Sequence, residues 1–204
     1  MKFFIWDFDG TLYDSYPMIL SAVMNVLKKN QVQADRRAVY KMLKEFSSKK
    51  VAETYDIDFA LFTEELHHFE AADQREPQPY EGVAETLAQI KAGGGRQFIM
   101  THRIATDTQR LLANHDLADY FEEIVGSERK FARKPDPEAL NYLIAKYQMP
   151  QSETVMIGDR IMDVVAGNRA GIASCFFDNE GLLENVPADF ICQQPTEIVD
   201  LLSK

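Results

Sequence analysis

The chain has little of what defines several protein classes. Only two of its 204 residues are cysteines, Cys175 and Cys192, and no Cys-x-x-Cys pair or disulfide framework is present. No apolar run is long enough to cross a bilayer, and the amino terminus lacks a signal-peptide pattern. We therefore expect a soluble, cytoplasmic protein with no membrane partner, in which both cysteines are buried as small hydrophobic residues.

Basic residues are also scarce, since 22 of them stand against 32 acidic residues, for a net charge of −10. A field of that sign disfavours nucleic acid as a partner. It also repels phosphorylated substrates at long range, so any phosphate site must be locally cationic. The length allows one large domain, or one domain with a smaller insertion, and the 46% hydrophobic content suits a globular core.

Strands alternate with helices over most of the chain. A helix near 82–91 stops at three consecutive glycines, and another is expected to start at Asp136-Pro137. Such alternation predicts an α/β fold with a mostly parallel sheet covered by helices on both faces. The predicted strands are Phe3–Asp7, Gln97–Thr101, Glu123–Val125 and Thr154–Ile157, with weaker ones at Ala173–Phe177 and Asp189–Cys192.

The pattern changes between Asp14 and about Gln78, where no strand is predicted. Apolar residues from Met18 to Leu27 recur at helical spacing, and Asp35 and Asp58 can cap two further helices. Residues 47–50, Ser-Ser-Lys-Lys, read as a polar break between helical stretches. We therefore predict a core domain of 1–13 and 80–204 and an inserted helical domain of 14–79.

The first predicted strand ends in two carboxylates. Asp7 and Asp9 are followed by Gly10-Thr11, and the pattern Asp-x-Asp-Gly-Thr arises by chance in roughly one sequence in a thousand of this length. An ordinary Asp-Gly turn explains Asp9 and Gly10 but not Asp7. At the open edge of a parallel sheet, one carboxylate can attack phosphorus while the other moves a proton.

Three further polar features follow strand ends in order. Thr101 can donate its hydroxyl to a phosphoryl oxygen, and Lys134 can offset the repulsion between carboxylates and stabilise a transferring phosphoryl group. Asp159 and Asp163 add hard oxygen ligands, with no histidine or cysteine at metal spacing, which suits Mg²⁺. Each feature alone is common in loops and caps, but their joint order indicates phosphate chemistry.

These motifs make the chain resemble the haloacid dehalogenase (HAD) superfamily, in its phosphoglycolate-phosphatase-like and β-phosphoglucomutase-like branch. The resemblance spans nearly the whole sequence and implies a Rossmann-like core with an inserted helical cap. The matching segments are residues 7–12, Asp-Phe-Asp-Gly-Thr-Leu; Thr101; residues 134–137, Lys-Pro-Asp-Pro; and residues 158–163, Gly-Asp-Arg-Ile-Met-Asp.

The resemblance also implies roles for individual residues. Asp7 would be the nucleophile that forms an aspartyl-phosphate, and Asp9 would protonate the leaving alcohol and then activate water. Thr101 and Lys134 would hold the phosphoryl group. The side chain of Asp7, the backbone carbonyl of Asp9 and the side chain of Asp159 would bind Mg²⁺, and Asp163 would support them.

The resemblance therefore predicts a Mg²⁺-dependent phosphatase for a small phosphorylated metabolite, as a monomer or homodimer. Two residues in the helical insertion, Ser48 and Lys49, are candidate substrate contacts. His102 touches phosphate, supports a residue that does, or is a polar residue at the loop mouth, and the roles of Arg103 and Arg160 stay open.

Four other functions compete with a phosphatase. A phosphomutase of the β-phosphoglucomutase type would share every core residue. A non-catalytic regulator on the same fold would bind a partner without turnover. A dehalogenase is disfavoured by Asp9, because halide needs no proton to leave, and a phosphonate-cleaving enzyme would need a Schiff-base lysine, for which Lys49 is the candidate.

Overall fold

The computed structural model describes all 204 residues, and its contacts divide the chain into two compact units. One unit, the core, comprises Met1–Asp14 and Pro79–Lys204, and the other, the helical unit, comprises Ser15–Gln78. The boundaries predicted from the sequence, 13/14 and 79/80, lie next to these. That the helical unit acts as a cap stays a prediction.

The core is built on a six-stranded sheet in the order β5-β4-β1-β6-β7-β8, in which each strand is parallel to its neighbours. The predicted fold class is therefore confirmed. The strands are β1 (Phe3–Trp6), β2 (Tyr13–Asp14), β3 (Gln78–Pro79), β4 (Arg96–Met100), β5 (Glu123–Val125), β6 (Thr154–Gly158), β7 (Ala173–Phe177) and β8 (Phe190–Cys192).

Two short strands were missed by the sequence analysis. β2 and β3 form a separate two-stranded sheet where the chain leaves and re-enters the core, so the prediction of no strand up to Gln78 was wrong there. Strands of two residues are too short to show an alternating pattern. The restricted φ of Pro79 is compatible with the extended backbone of β3.

Eight α-helices accompany the strands, and a 3₁₀ segment at Pro195–Ser203 ends the chain. Their bounds are α1 (Tyr16–Lys29), α2 (Arg36–Glu45), α3 (Ser48–Thr54), α4 (Phe59–Ala72), α5 (Val83–Ala92), α6 (Ala105–Ala113), α7 (Glu138–Tyr147) and α8 (Ile161–Arg169).

The central strand β1 is buried on both faces. Phe4 and Trp6 belong to one apolar cluster, whereas Phe3 and Ile5 belong to the cluster on the opposite face of the sheet. A strand covered on both sides needs a continuous apolar run rather than an alternating one, which is why the sequence places four apolar residues here. β1 ends at Trp6, so Asp7 follows the strand instead of closing it as predicted.

The helix ends follow local chemistry. Asp35 caps α2 by accepting a hydrogen bond from Ala38 N, and Asp58 caps α4 by accepting from Leu61 N, which confirms both predicted caps. In the core, α5 ends at Ala92 and Gly93 takes the C-cap position, as the glycine cluster predicted.

Two local predictions need correction. The predicted polar break at 47–50 is shorter than expected, because α3 begins at Ser48 and only Ser47 of this segment lies outside the helix. The helix after Lys134 begins at Glu138, and Pro137 takes the N-cap position. Asp136 still serves this helix start, since its Oδ1 accepts from Glu138 N at 2.9 Å.

Both cysteines are buried, as predicted, and neither forms a disulfide. No helix of the structure is both long enough and apolar enough to span a bilayer.

Candidate active site

Polar residues from three adjacent strands gather at the carboxyl edge of the sheet. Asp7 follows β1, Thr101 follows β4 and Asp159 follows β6, and β1 lies between the other two. Asp163 joins them from the first turn of α8. All four side chains are buried, so the parallel register brings distant residues into one enclosed cluster.

Lys134 is the cation of this cluster. It precedes α7 and is 3% exposed. Its Nζ lies 2.5 Å from Asp7 Oδ1 and 2.6 Å from Asp163 Oδ1, and it donates to the carbonyl of Met100 at 3.3 Å. One ammonium therefore ties the end of β1 to the start of α8, through ion pairs from which water is excluded.

Three buried carboxylates could hold a metal ion. Asp7, Asp159 and Asp163 each offer one oxygen, and these oxygens all lie within 4.8 Å of one another. Asp7 Oδ2 is buried and has no hydrogen-bond partner. An oxygen in that state needs a ligand, and a triad of carboxylates without histidine or cysteine fits Mg²⁺.

Two other oxygens of the triad are oriented by neighbouring groups. Thr11 donates its hydroxyl to Asp159 Oδ1 at 3.3 Å, and the backbone N of Arg160 donates to Asp163 Oδ2 at 3.1 Å. The second contact belongs to a capping box at the start of α8, which fixes the position of Asp163. Helix capping and the acidic cluster therefore depend on the same side chain.

The charges of the cluster do not balance, because three carboxylates face the ammonium of Lys134 and the guanidinium of Arg160, whose Nε lies 4.0 Å from Asp163 Oδ2. Burial raises the pKa of Asp7 to about 7, against the opposing effect of Lys134 and with a further upward contribution from Asp163. Burial disfavours charged Lys134 as well, but Asp163 and Asp7 outweigh it and raise the pKa of this ammonium. Burial is thus the main cause of the shift at Asp7, the neighbouring carboxylates are the cause at Lys134, and the excess negative charge calls for a proton or a cation at Asp7.

Asp9 lies outside the triad. Its Oδ1 accepts from Arg103 Nη2 at 2.6 Å, and both side chains are partly exposed. The structure thus separates the two carboxylates of the first motif: Asp7 is buried beside Lys134, and Asp9 points to an arginine in the loop after β4.

His102 supports the loop that carries Lys134. Its Nε2 accepts from the backbone N of Lys134 at 3.1 Å. Burial, together with the positive charges of Lys134, Arg160 and Arg133, strongly lowers the pKa of this imidazole, so it is neutral and can act as an acceptor. This contact supports the loop of Lys134, and a contact between His102 and phosphate stays a prediction.

Four basic side chains lie at the edge around Thr101 although the protein is acidic: Arg103, Arg133, Lys134 and Arg160. Desolvation and the charge of Arg160 lower the pKa of Arg133. These cations face the carboxylates of the triad and of Asp9, so they offset the acidic charge at this edge and supply the positive charge that a phosphate site requires in a chain of net charge −10.

The remaining candidates, Ser48 and Lys49, lie at the start of α3 in the helical unit. Lys49 is exposed and its Nζ lies 3.9 Å from Glu53 Oε1. The contacts of Thr11 and Arg103 were missed by sequence reasoning. Thr11 belongs to the motif of residues 7–12, but its contact with Asp159 was not predicted. Nothing in the residue spacing indicates that Arg103 pairs with Asp9.

Comparisons with known proteins agree with this geometry. The family model for haloacid dehalogenase-like hydrolases matches residues 4–177. The chain belongs to that family. The predicted membership, and with it the prediction of a hydrolytic enzyme, is confirmed.

Three relatives illustrate the branch. The phosphoglycolate phosphatase of Photobacterium profundum is 28% identical over 183 residues, which cover 83% of this chain and 80% of the relative. The pyrophosphatase PpaX of Halalkalibacterium halodurans is 22% identical over 211 residues, covering 97% and 95%. A hydrolase structure from Streptococcus pneumoniae TIGR4 is 36% identical, with a TM-score of 0.59, and covers 85% of this chain and 92% of that chain.

Proposed function

We propose that this protein is a Mg²⁺-dependent phosphatase that hydrolyses a small phosphorylated metabolite through an aspartyl-phosphate at Asp7. The observation that carries the proposal is the buried contact between Asp7 and Lys134 within the acidic triad. The two curated relatives described above are named for phosphate-releasing reactions, which supports the same reaction class.

Asp7 would attack phosphorus with a carboxylate oxygen, so that a P–O bond to Asp7 forms as the bond to the leaving oxygen breaks. Lys134 would favour the charged carboxylate and balance negative charge on the transferring phosphoryl group. Thr101, at the end of the neighbouring strand, would donate its hydroxyl to a phosphoryl oxygen.

Asp9 would transfer the protons. As an acid it would protonate the leaving oxygen, and as a base it would take a proton from the water that hydrolyses the aspartyl-phosphate. This second step returns Asp7 and Asp9 to their starting states and releases inorganic phosphate. Because Asp9 lies outside the buried triad, one carboxylate can move protons while the other stays beside Lys134.

The metal site would consist of Asp7, Asp159 and Asp163, with the backbone carbonyl of Asp9 as a further ligand. The unpartnered Oδ2 of Asp7 and the excess negative charge of the triad support this assignment. When bound, Mg²⁺ would neutralise the triad and stabilise negative charge on the phosphoryl oxygens.

Three further residues have proposed supporting or substrate-binding roles. His102 would act by holding the Lys134 loop. Ser48 and Lys49 stay proposed substrate contacts on the resemblance alone. Location in the cytoplasm, a monomeric or homodimeric state, and the absence of nucleic-acid and membrane partners also stay predictions.

The test is phosphate release from a panel of phosphorylated metabolites, with and without Mg²⁺. Asp7→Asn is the blank and should lose about 10³-fold or more in turnover, because an amide is a poor nucleophile. Sugar phosphate isomerisation without phosphate release would identify a phosphomutase instead. Binding of a partner protein with no Mg²⁺-dependent turnover on any substrate would favour the regulator.

A further inference from the structure

Arg103 is held at the proposed active site by three hydrogen bonds. Its backbone N donates to Thr101 Oγ1 at 3.1 Å, and its carbonyl accepts from Ser127 N at 3.0 Å. Its guanidinium Nη2 donates to Asp9 Oδ1 at 2.6 Å. The backbone contacts fix the residue in the loop after β4, and the side chain is thereby directed at the proposed proton-transfer group.

The ion pair between Arg103 and Asp9 is partly shielded from water. The two side chains are 28% and 21% exposed, and the guanidinium lies 5.7 Å from the centre of the Phe8 ring. Charge-assisted hydrogen bonds in such surroundings are stronger than those of a fully solvated pair. The positive charge at this point is therefore a fixed feature of the site.

The position of Asp9 locates the leaving group of the substrate. A general acid works within about 2.6–3.2 Å of the oxygen that it protonates. Since Nη2 is 2.6 Å from Asp9 Oδ1, Nη2 lies within about 6 Å of that leaving oxygen where Oδ1 carries the proton, and within about 8 Å where Oδ2 carries it. A carboxylate or phosphate joined next to the leaving oxygen falls within reach of the same guanidinium, whose five donors can contact two carboxylates at once.

We propose that Arg103 is a specificity-determining residue that selects phosphorylated substrates whose leaving group carries an anionic group next to the bridging oxygen. This inference rests on the proposed phosphatase function. It also meets an electrostatic requirement, because a protein of net charge −10 must supply a local cation to attract a substrate that carries a second anionic group beside its phosphate. The phosphate ester of a small hydroxy acid fits this description.

The competing explanation is that Arg103 only positions Asp9. In that case its removal would slow turnover of every substrate by the same factor. A selecting role predicts a loss confined to substrates with an anionic leaving group. The difference between substrates, and not the size of the loss, therefore separates the two explanations.

The experiment compares 2-phosphoglycolate with ethyl phosphate, which has a methyl group in place of the carboxylate, and includes pyrophosphate as a third substrate. The variant is Arg103→Gln, because a glutamine amide can still donate to Asp9 but carries no charge. Arg96→Gln is the matched control. Arg96 lies at the opposite end of β4 and makes a similar ion pair, in which its Nη2 lies 2.6 Å from Glu122 Oε2. Both variants are tested for folding by thermal unfolding.

For wild type, kcat/KM for 2-phosphoglycolate should exceed that for ethyl phosphate by about tenfold or more. Arg103→Gln should lower kcat/KM for 2-phosphoglycolate by about 10- to 100-fold and for ethyl phosphate by less than about threefold. Arg103→Lys should recover part of the loss for 2-phosphoglycolate only, and Arg96→Gln should leave the preference unchanged. A parallel loss on pyrophosphate would identify the anionic group as phosphate as well as carboxylate.

Two results would overturn the inference while leaving the phosphatase intact. One is a wild type that hydrolyses both esters without preference, and the other is an equal loss on both esters in Arg103→Gln. If wild type releases phosphate from no substrate in the presence of Mg²⁺, the proposed function itself fails, and the inference fails with it. Wild-type preference also provides a test that does not depend on the folding of any variant.

Discussion

The buried position of Asp7 in the acidic triad predicts that Mg²⁺ binding depends on pH. Burial is the main cause that raises the pKa of Asp7 to about 7. Below pH 7, Mg²⁺ must therefore displace a proton from Asp7. The apparent Kd is expected to be roughly tenfold higher at pH 6 than at pH 8, equivalent to about 1.4 kcal/mol.

The same shift sets the sign of the stability change. In the metal-free protein, folded Asp7 keeps its proton up to about pH 7, whereas the ordinary pKa of an Asp carboxyl is 3.8. The folded state then binds more protons than the unfolded state between these values, so this group makes the free energy of unfolding fall as pH rises through that window. Added Mg²⁺ should counteract the loss and raise Tm more at pH 8 than at pH 6.

Isothermal titration calorimetry at both pH values, in two buffers of different ionisation enthalpy, measures the Kd and the protons released. About 0.9 proton should leave at pH 6 and about 0.1 at pH 8. Asp9→Asn is the control, since its carboxylate pairs with Arg103 outside the triad and should not alter the titration. Equal affinity at both pH values, without proton release, would show that Asp7 is already ionised at pH 6 and would refute the raised pKa.

Three further predictions concern single residues. Asp9→Asn should slow turnover by about 10²-fold or more but change the Mg²⁺ Kd little, because the proposed metal contact there is a backbone carbonyl; comparable losses in both would contradict its role. His102→Ala should lower kcat, since the backbone N–H of Lys134 loses its acceptor, and His102→Gln should restore part of it; an unchanged kcat in the alanine variant would exclude this support. Gly158→Ala should weaken Mg²⁺ binding and lower the free energy of unfolding by about 1–3 kcal/mol in urea titration, because an added Cβ would collide with the fixed side chain of Asp163.

The sheet could be predicted largely because its strands are buried on both faces. The runs at Phe3, Thr154 and Ala173 are continuous and apolar, and strands appear at all three. The pair β2 and β3 could not be found in this way, since two residues carry no period. The helix α3 was missed because Ser47 and the lysines after it are polar, although Ser47 takes the N-cap position of that helix.

For the candidate site, the order of motifs along the chain was sufficient to identify its buried members. Parallel strands bring their carboxyl ends to one edge, so Asp7, Thr101 and Asp159 had to meet there. Side-chain orientation does not follow from that rule. The separation of Asp9 from the triad and its contact with Arg103 depend on loop conformation, which residue spacing does not determine.

The central position of β1 has a consequence for synthesis of the chain. Phe3 pairs with Arg96 on one side and with Thr154 on the other, roughly 90 and 150 positions later. The segment that leads into Asp7 therefore has no partner strand until β4 is synthesised, and it gains its second partner only with β6. A product truncated before Asp163 has no assembled reaction centre, and catalytic competence requires synthesis through the start of α8.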